Sequence, residues 1–456
     1  MTTTETRTAN PYLAGNYAPM HDEHTVSELE VEGTIPPSLN GRLLRIGPNP
    51  VGDYDAITYH WFTGTGMVHG LRLRDGRAEW YRNRFVRSDR VTEAMGWPEV
   101  PGPRHGLGEG TANTNVIGHA GRTWAIVEAG NLPVELSYDL ETVARSNFDG
   151  TLPGSFTAHP KRDPQTGELH AVVYYWEWDH IEYVVVGTDG RVRKVVDITV
   201  PGKPMVHDCA ITETSVLLFD LPVTFNLDAA MSGASFPYQW DPGYGARVGV
   251  LPRDGQATDV RWCEVDLCYV YHPLNAYDLP DGQVVVDVVR HPKMFATDLR
   301  GPYEGNPTLE RWTLDPAAGT SKNELLSDRS QEFPRHDERL VGRHHRYGYD
   351  VTFDQTTLGG APVFGSLLKH DLDGGTTDVH DFGVGQMAME PVFVPVDSDA
   401  AEDDGWVLVY VHDAMRDGCD VHILHSQDFA GDPLATIHLP VRVPFGFHGN
   451  WVPDDL

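Results

Sequence analysis

The sequence is poor in cysteine and in positive charge, and it has no long apolar run. Only four cysteines occur in 456 residues, Cys209, Cys263, Cys268 and Cys419, and no two form a CxxC pair. That number excludes a disulfide framework, and the spacing offers no cysteine zinc site. Lys and Arg number 35 against 66 Asp and Glu, a net charge of −31. Nucleic acid is therefore not an expected partner, because neutralising phosphates requires clustered basic side chains. The acidity reads as solubility. No stretch approaches the ~18 apolar residues of a spanning helix. The opening residues, MTTTETRTANPYLAGNY, contain no apolar core of a signal peptide. The expectation is a reduced, cytoplasmic protein.

Helical periodicity is also missing. Instead, β-branched and alternating runs recur, among them TWAIVEA, HAVVYYWEW, IEYVVVG, SVLLFDL, QVVVDVV and WVLVYVHD. Forty-six Gly and 33 Pro suit many short strands with tight turns. Asp-Gly pairs at 75–76, 189–190, 254–255, 281–282, 373–374 and 417–418 are hairpin signals of the type I′ kind. No linker divides the chain. One all-β domain over 1–456 is expected, with roughly the first 25 residues as an extended arm. So many strands in an open sheet would leave hazardous edges. Radial repetition removes them, so a β-propeller is the expected fold.

Of 22 histidines, four stand out by context. They are His159 in FTAHPKRDP, His207 in MVHDCAIT, His272 in YVYHPLNAYD and His448 in PFGFHGNW. Each borders a strand-like run and adjoins Pro, Asp or Gly. No HxxxH pair makes a local metal clip. In a propeller, however, one residue per blade can reach the axis. Four neutral imidazoles suit iron, copper, zinc or nickel. Three acids stand in apolar surroundings: Glu128 in WAIVEAG, Glu332 in SQEFPR and Glu390 in AMEPVFV. Buried carboxylates need partners, and metal-bound imidazoles usually donate their second N–H to one. Edge-strand acids facing water are the plainer alternative.

The segments NGRLLRIGPNP, YHWFTGTGMVHG, TANTN, FTAHPKRDPQTGE, MVHDCAIT, YHPLNAYD, EFPR, MEPVFV and PFGFHGNW, in this order between residues 41 and 452, resemble the carotenoid cleavage oxygenases. The resemblance implies a seven-bladed propeller with an axial non-haem Fe(II), capped by loops and short helices over a substrate tunnel. It implies His159, His207, His272 and His448 as ligands and Glu128, Glu332 and Glu390 as their carboxylate partners. Thr114, in TANTN, matches a threonine whose methyl group crowds one open metal position, leaving one for O₂. His69 in GMVHG is a family feature but not a ligand. His60, His344, His345, His422 and His425 are read as ordinary histidines. FTGTGM stands where the family usually has FDGDGM, which touches a turn rather than the metal. Relatives that cleave stilbenes and phenylpropenes carry Lys before the first Glu. Here that residue is Val127, which cannot neutralise a phenolate.

The expected activity is therefore Fe(II)-dependent cleavage of a C=C bond in an apocarotenoid or carotenoid, with O₂, to two carbonyl products. Cleavage of stilbenes or phenylpropenes such as isoeugenol is the alternative, and isomerisation also occurs in the family. A non-catalytic binding propeller is the alternative of another class. Val127, Phe447 and Phe295 are expected to face the substrate, with core packing as the competing reading for each. No serine nucleophile elbow, Walker loop or dinucleotide fingerprint competes. No obligate protein partner is evident. The segment 227–240 is a candidate for peripheral membrane contact, although ordinary loop packing is the plainer reading.

Overall fold

The computed structural model describes residues 10–106, 108–299, 304–354 and 360–454. Seven antiparallel sheets follow one another around a ring, and a two-stranded hairpin, Val223–Phe225 with Tyr238–Trp240, stands apart from them. This is the expected seven-bladed propeller. Blades II, III, V and VI take four consecutive strands each, beginning at Asn115, Lys161, Tyr269 and Gln331, while blade IV, beginning at Cys209, takes four that are interrupted by that hairpin.

Blades I and VII close the ring by exchanging strands from distant parts of the chain. Gly449–Pro453 forms the innermost strand of blade I by pairing with Gly41–Pro48, with Arg45 opposite Gly449. Conversely, Glu30–Gly33 pairs with Ala435–Leu439 as the outer edge of blade VII. Covering the edges in this way removes sites for stray strand pairing. Further back, Tyr12 and Tyr17 of the leading segment are buried, with the Tyr12 ring stacked on Trp61.

Burial explains the strand patterns. Central strands such as Gly405–Asp413 are buried throughout and read as continuous apolar runs. Outer strands alternate, as in Val192–Thr199, where Val196 and Ile198 are buried while Val195, Asp197 and Thr199 are exposed. The six Asp-Gly pairs named above lie at the connections between neighbouring strands of one sheet. Of these six, Asp75–Gly76 alone has positive φ at both residues, as the expected type I′ turn requires. The other loops are longer, and in two of them the Asp accepts from a backbone N–H, Asp189 from Arg191 and Asp281 from Gln283.

The innermost strands are irregular where they meet the axis. Pairing in blade V slips between Val270 and Pro273, around His272. In blade VI it slips between Glu332 and Arg335, where Phe333 has φ +57°. In blade VII the inner strand is broken between Ala388 and Val392, at Glu390. Bulges of this kind re-aim a side chain out of the regular pleat.

Candidate metal centre and cavity

Seven side chains converge on the axis, one from each blade. His448 comes from blade I, just before its closing strand. Glu128 follows the second strand of blade II. His159 and His207 precede the inner strands of blades III and IV. His272, Glu332 and Glu390 come from the irregular inner strands of blades V, VI and VII. The four imidazoles are buried and their nitrogens lie within 4.8 Å of one another. Ring centroids of neighbours are 4.5 to 5.1 Å apart.

Three imidazoles are oriented by carboxylates. His207 Nδ1 is 2.8 Å from Glu128 Oε1, His272 Nδ1 is 2.6 Å from Glu332 Oε2, and His448 Nδ1 is 2.9 Å from Glu390 Oε1. A carboxylate accepts, so each Nδ1 carries the proton and each Nε2 presents a lone pair. His207 Nε2 and His272 Nε2 then face each other at 3.2 Å. Two lone pairs at that distance repel unless a cation lies near both. His159 Nε2 is also buried, with no hydrogen-bond partner. An array of inward lone pairs with no donor to satisfy it is the chemistry of a metal site, and the four residues fit a borderline cation.

Burial drives two of the four imidazoles toward the neutral form. Burial and the neighbouring imidazoles push His159 well below the ordinary histidine range. Burial takes His448 down to about 4, against the opposing pull of Glu390. Burial also acts against His272, but Glu332 outweighs it and moves that group upward. Glu332 is itself held far below the usual carboxylate range. Burial alone would raise it, and His272 and His291 overcome that. His291 Nε2 reaches Glu332 Oε1 at 2.6 Å, and the Phe333 N–H donates to Oε2 at 2.6 Å. Glu390 accepts from the Gly449 N–H at 2.7 Å, and Arg335 lies 3.3 Å away. His159 differs from the others. Its nearest acid, Asp208, is 3.8 Å from Nδ1 and is engaged by Lys161 Nζ at 2.8 Å.

The cluster borders an apolar cavity of about 630 Å³. Val127, Phe447 and Thr114 line it, together with Trp61, Phe62 and Phe333. Thr114 Oγ1 donates to Asn113 Oδ1 at 2.8 Å, and its carbonyl accepts from the His448 N–H. Phe295 does not line the cavity. Its ring is 99% buried and packs on Phe236, Phe62 and His60, behind the wall. The Trp240 N–H bonds the Phe295 carbonyl, which fixes it there. A second cavity of about 400 Å³, lined by polar groups including Lys161, Asp208 and Arg335, also reaches His159, His272 and His448.

Gly446 and Gly449 allow the segment around His448 to press on blade I. A Cβ at Gly446 would lie 2.8 Å from Gly47 Cα, and one at Gly449 would lie 2.5 Å from the Leu44 carbonyl oxygen. The remaining histidines stay out of the cluster. His69 bonds Tyr81 Oη at 2.9 Å, His60 Nδ1 accepts from the Phe62 N–H, and His345 is buried beside Asp287.

Several cavity residues carry no sequence signal of their own. Tyr174 and Trp176 come from HAVVYYWEW, whose strand ends at Val173. Tyr238 and Phe236 come from the 227–240 insertion, which folds as a short helix, Leu227–Met231, and one strand of the hairpin. At the cavity mouth Leu227 is 59% and Met231 79% exposed.

The family model described as RPE65, retinal pigment epithelial membrane protein, matches residues 17–453. A carotenoid cleavage oxygenase of Mycobacterium tuberculosis is 46% identical, over 97% of this chain and 98% of its own length. An isoeugenol monooxygenase of Pseudomonas nitroreducens is 31% identical over the same shares. The crystal structure of Pseudomonas brassicacearum lignostilbene dioxygenase superposes with a TM-score of 0.88 at 31% identity, covering 97% of this chain and 98% of that one.

Proposed function

The chain belongs to the RPE65 family of carotenoid oxygenases, and from that premise we propose that it is an Fe(II)-dependent dioxygenase cleaving one C=C bond of an apocarotenoid or carotenoid with O₂. Oxidative alkene cleavage is the family's chemistry. The observation that carries the reading is a cluster of four buried imidazoles, three of which, His207, His272 and His448, line the wall of an apolar cavity.

His159, His207, His272 and His448 would hold the ion. Bound Fe(II) would supply the electrons that activate O₂ toward the alkene. The chain's own part is positional. Glu128, Glu332 and Glu390 fix the tautomer and ring plane of three ligands. Held by four imidazoles in their neutral, metal-binding form, the cation would keep its full charge. We read the Thr114 methyl group as narrowing the side of the cluster open to O₂. Phe447 and Val127 hold an extended apolar substrate against the cluster, and the aromatic wall keeps water out. Val127 favours a polyene, since it offers a phenolate nothing.

One observation supports a second reading. Tyr238 Oη is buried at the cavity wall with no hydrogen-bond partner. It could receive the oxygen of a phenolic stilbene or phenylpropene. Aerobic incubation of Fe(II)-loaded protein with apocarotenals, stilbenes and isoeugenol, read by mass spectrometry, separates the two. Aldehydes from the polyenes support the first reading. Aromatic aldehydes alone reverse the order, and none from any substrate refutes both. The His448→Ala variant should lose activity and retain its fold.

The ring would act as one unit. Its exposed Leu227 and Met231, at the cavity mouth, are suited to rest on a membrane surface that supplies lipophilic substrate. Vesicle flotation with a Leu227→Ser/Met231→Ser variant tests this. We place the protein in the cytoplasm, in keeping with four buried free thiols.

A further inference from the structure

Far from the axis, the two outer strands of blade III carry an arrangement that the oxygenase reading leaves unused. His180 and Glu182 are two residues apart on the strand His180–Val186, and Asp197 is the direct cross-strand partner of Glu182. All three side chains therefore leave the same face of the sheet. One donor atom from each lies within 4.8 Å of the others, and His180 Nε2 is 3.7 Å from Glu182 Oε1.

Two features set this apart from a chance surface cluster. Glu182 is 94% buried, and its Oε2 has no hydrogen-bond partner. No Lys or Arg among the described residues forms an ion pair with Glu182 or Asp197, yet the two carboxyl groups face each other directly. Like charges so placed destabilise a sheet, and a buried carboxylate oxygen without a partner costs more. The second feature is the imidazole's orientation. His180 Nδ1 is 3.1 Å from Asp179 Oδ1, and the ring lies flat on Trp178 at 5.2 Å and 5°. A carboxylate on Nδ1 leaves Nε2 as a lone pair, and Nε2 is the atom turned toward Glu182. This is the arrangement of a metal-binding histidine with its outer carboxylate.

We propose that His180, Glu182 and Asp197 form a second divalent-cation site, selective for a zinc-class ion. One imidazole and two carboxylates, completed by water, suit zinc in ligand type and number. A calcium-class ion would not use the imidazole. Burial and the facing Asp197 push the Glu182 carboxyl upward, the repulsion that a bound cation would relieve. An ion here would fasten the outermost strand of blade III to the segment 174–180. Tyr174 and Trp176 of that segment line the substrate cavity.

The test titrates Zn²⁺ into Fe(II)-loaded, oxygen-free protein, with calorimetry and metal content after gel filtration. Zinc also suits the axial imidazoles, so the readout is the difference between wild type and variants. Glu182→Gln and the exposed Asp197→Asn should each bind one zinc fewer than wild type. Asp179→Ala should retain the site with affinity lowered about tenfold or more. Zinc should raise the melting temperature of wild type above that of Glu182→Gln. Equal zinc stoichiometry in wild type and both carboxylate variants would overturn the proposal. So would a Glu182→Gln protein that melts higher than wild type whether or not zinc is present, the sign of a carboxyl pair sharing a proton.

Discussion

Replacing Glu390 by Gln should cost roughly 3 kcal/mol of stability in the metal-free protein at neutral pH, a cost that disappears on acidification. Glu390 is buried, bonds His448 Nδ1 and the Gly449 N–H, and lies 3.3 Å from Arg335. Burial alone would raise its pKa, but His448 and Arg335 bring it from 4.5 down to about 2. By linkage, a depression of that size contributes roughly 3 kcal/mol above the unfolded value. The cost of removing one member of a buried ion pair, about 3 to 5 kcal/mol, agrees. The sign follows from the depressed carboxylate. The stabilisation is complete above pH 4.5 and is lost as pH falls toward 2. Urea unfolding of chelator-treated wild type and Glu390→Gln, followed from pH 8 to pH 3, should therefore give a constant gap down to about pH 5 that narrows below it. Iron affinity should fall by about ten- to a hundredfold, because His448 loses its orienting charge. A gap absent at pH 7, or one that widens on acidification, would refute the reasoning.

Val127→Lys should place an ammonium group at the cavity wall beside Glu128; turnover of 4-hydroxystilbenes should rise relative to apocarotenals, as measured by competitive product analysis. Phe447→Ala removes a ring packed 4.5 Å from Trp61. It should lower stability by about 3 kcal/mol and change the distribution of cleavage products, with iron content unchanged. Gly446→Ala forces a Cβ to within 2.8 Å of Gly47 Cα; it should lower both the melting temperature and the iron content, since it displaces the segment that carries His448.

The axial residues were readable in the sequence because chain irregularity marks them. Pro, Asp or Gly beside each of the four histidines signals an interruption of the strand, just before its start for His159, His207 and His448 and at a bulge within it for His272. The three acids were readable because carboxylates in apolar runs need a partner. What the sequence left hidden depends on contacts between blades. Phe295 follows the strand that pairs with the one bearing His272 and looks like a cavity residue, but Phe62 and Phe236, from remote segments, cover it. HAVVYYWEW reads as one strand, yet its aromatic half leaves the sheet at Tyr174 to fill a space that only the folded ring creates. The 3.8 Å gap between His159 and Asp208 was hidden for the same reason: Lys161 competes for the carboxylate, and no spacing rule reveals which partner wins.

The strand exchange between blades I and VII also gives the centre an order of assembly. His159, His207 and His272 belong to three successive blades and can come together as a local arc. His448 reaches them only when Gly449–Pro453 is laid against Gly41–Pro48, across nearly the whole sequence. A three-histidine arc would be an incomplete cage, so full metal affinity would mark a ring that has closed. The same linkage would run backward: an ion gripped by all four imidazoles would rivet the pairing of Gly449–Pro453 with Gly41–Pro48, strands that lie at opposite ends of the chain.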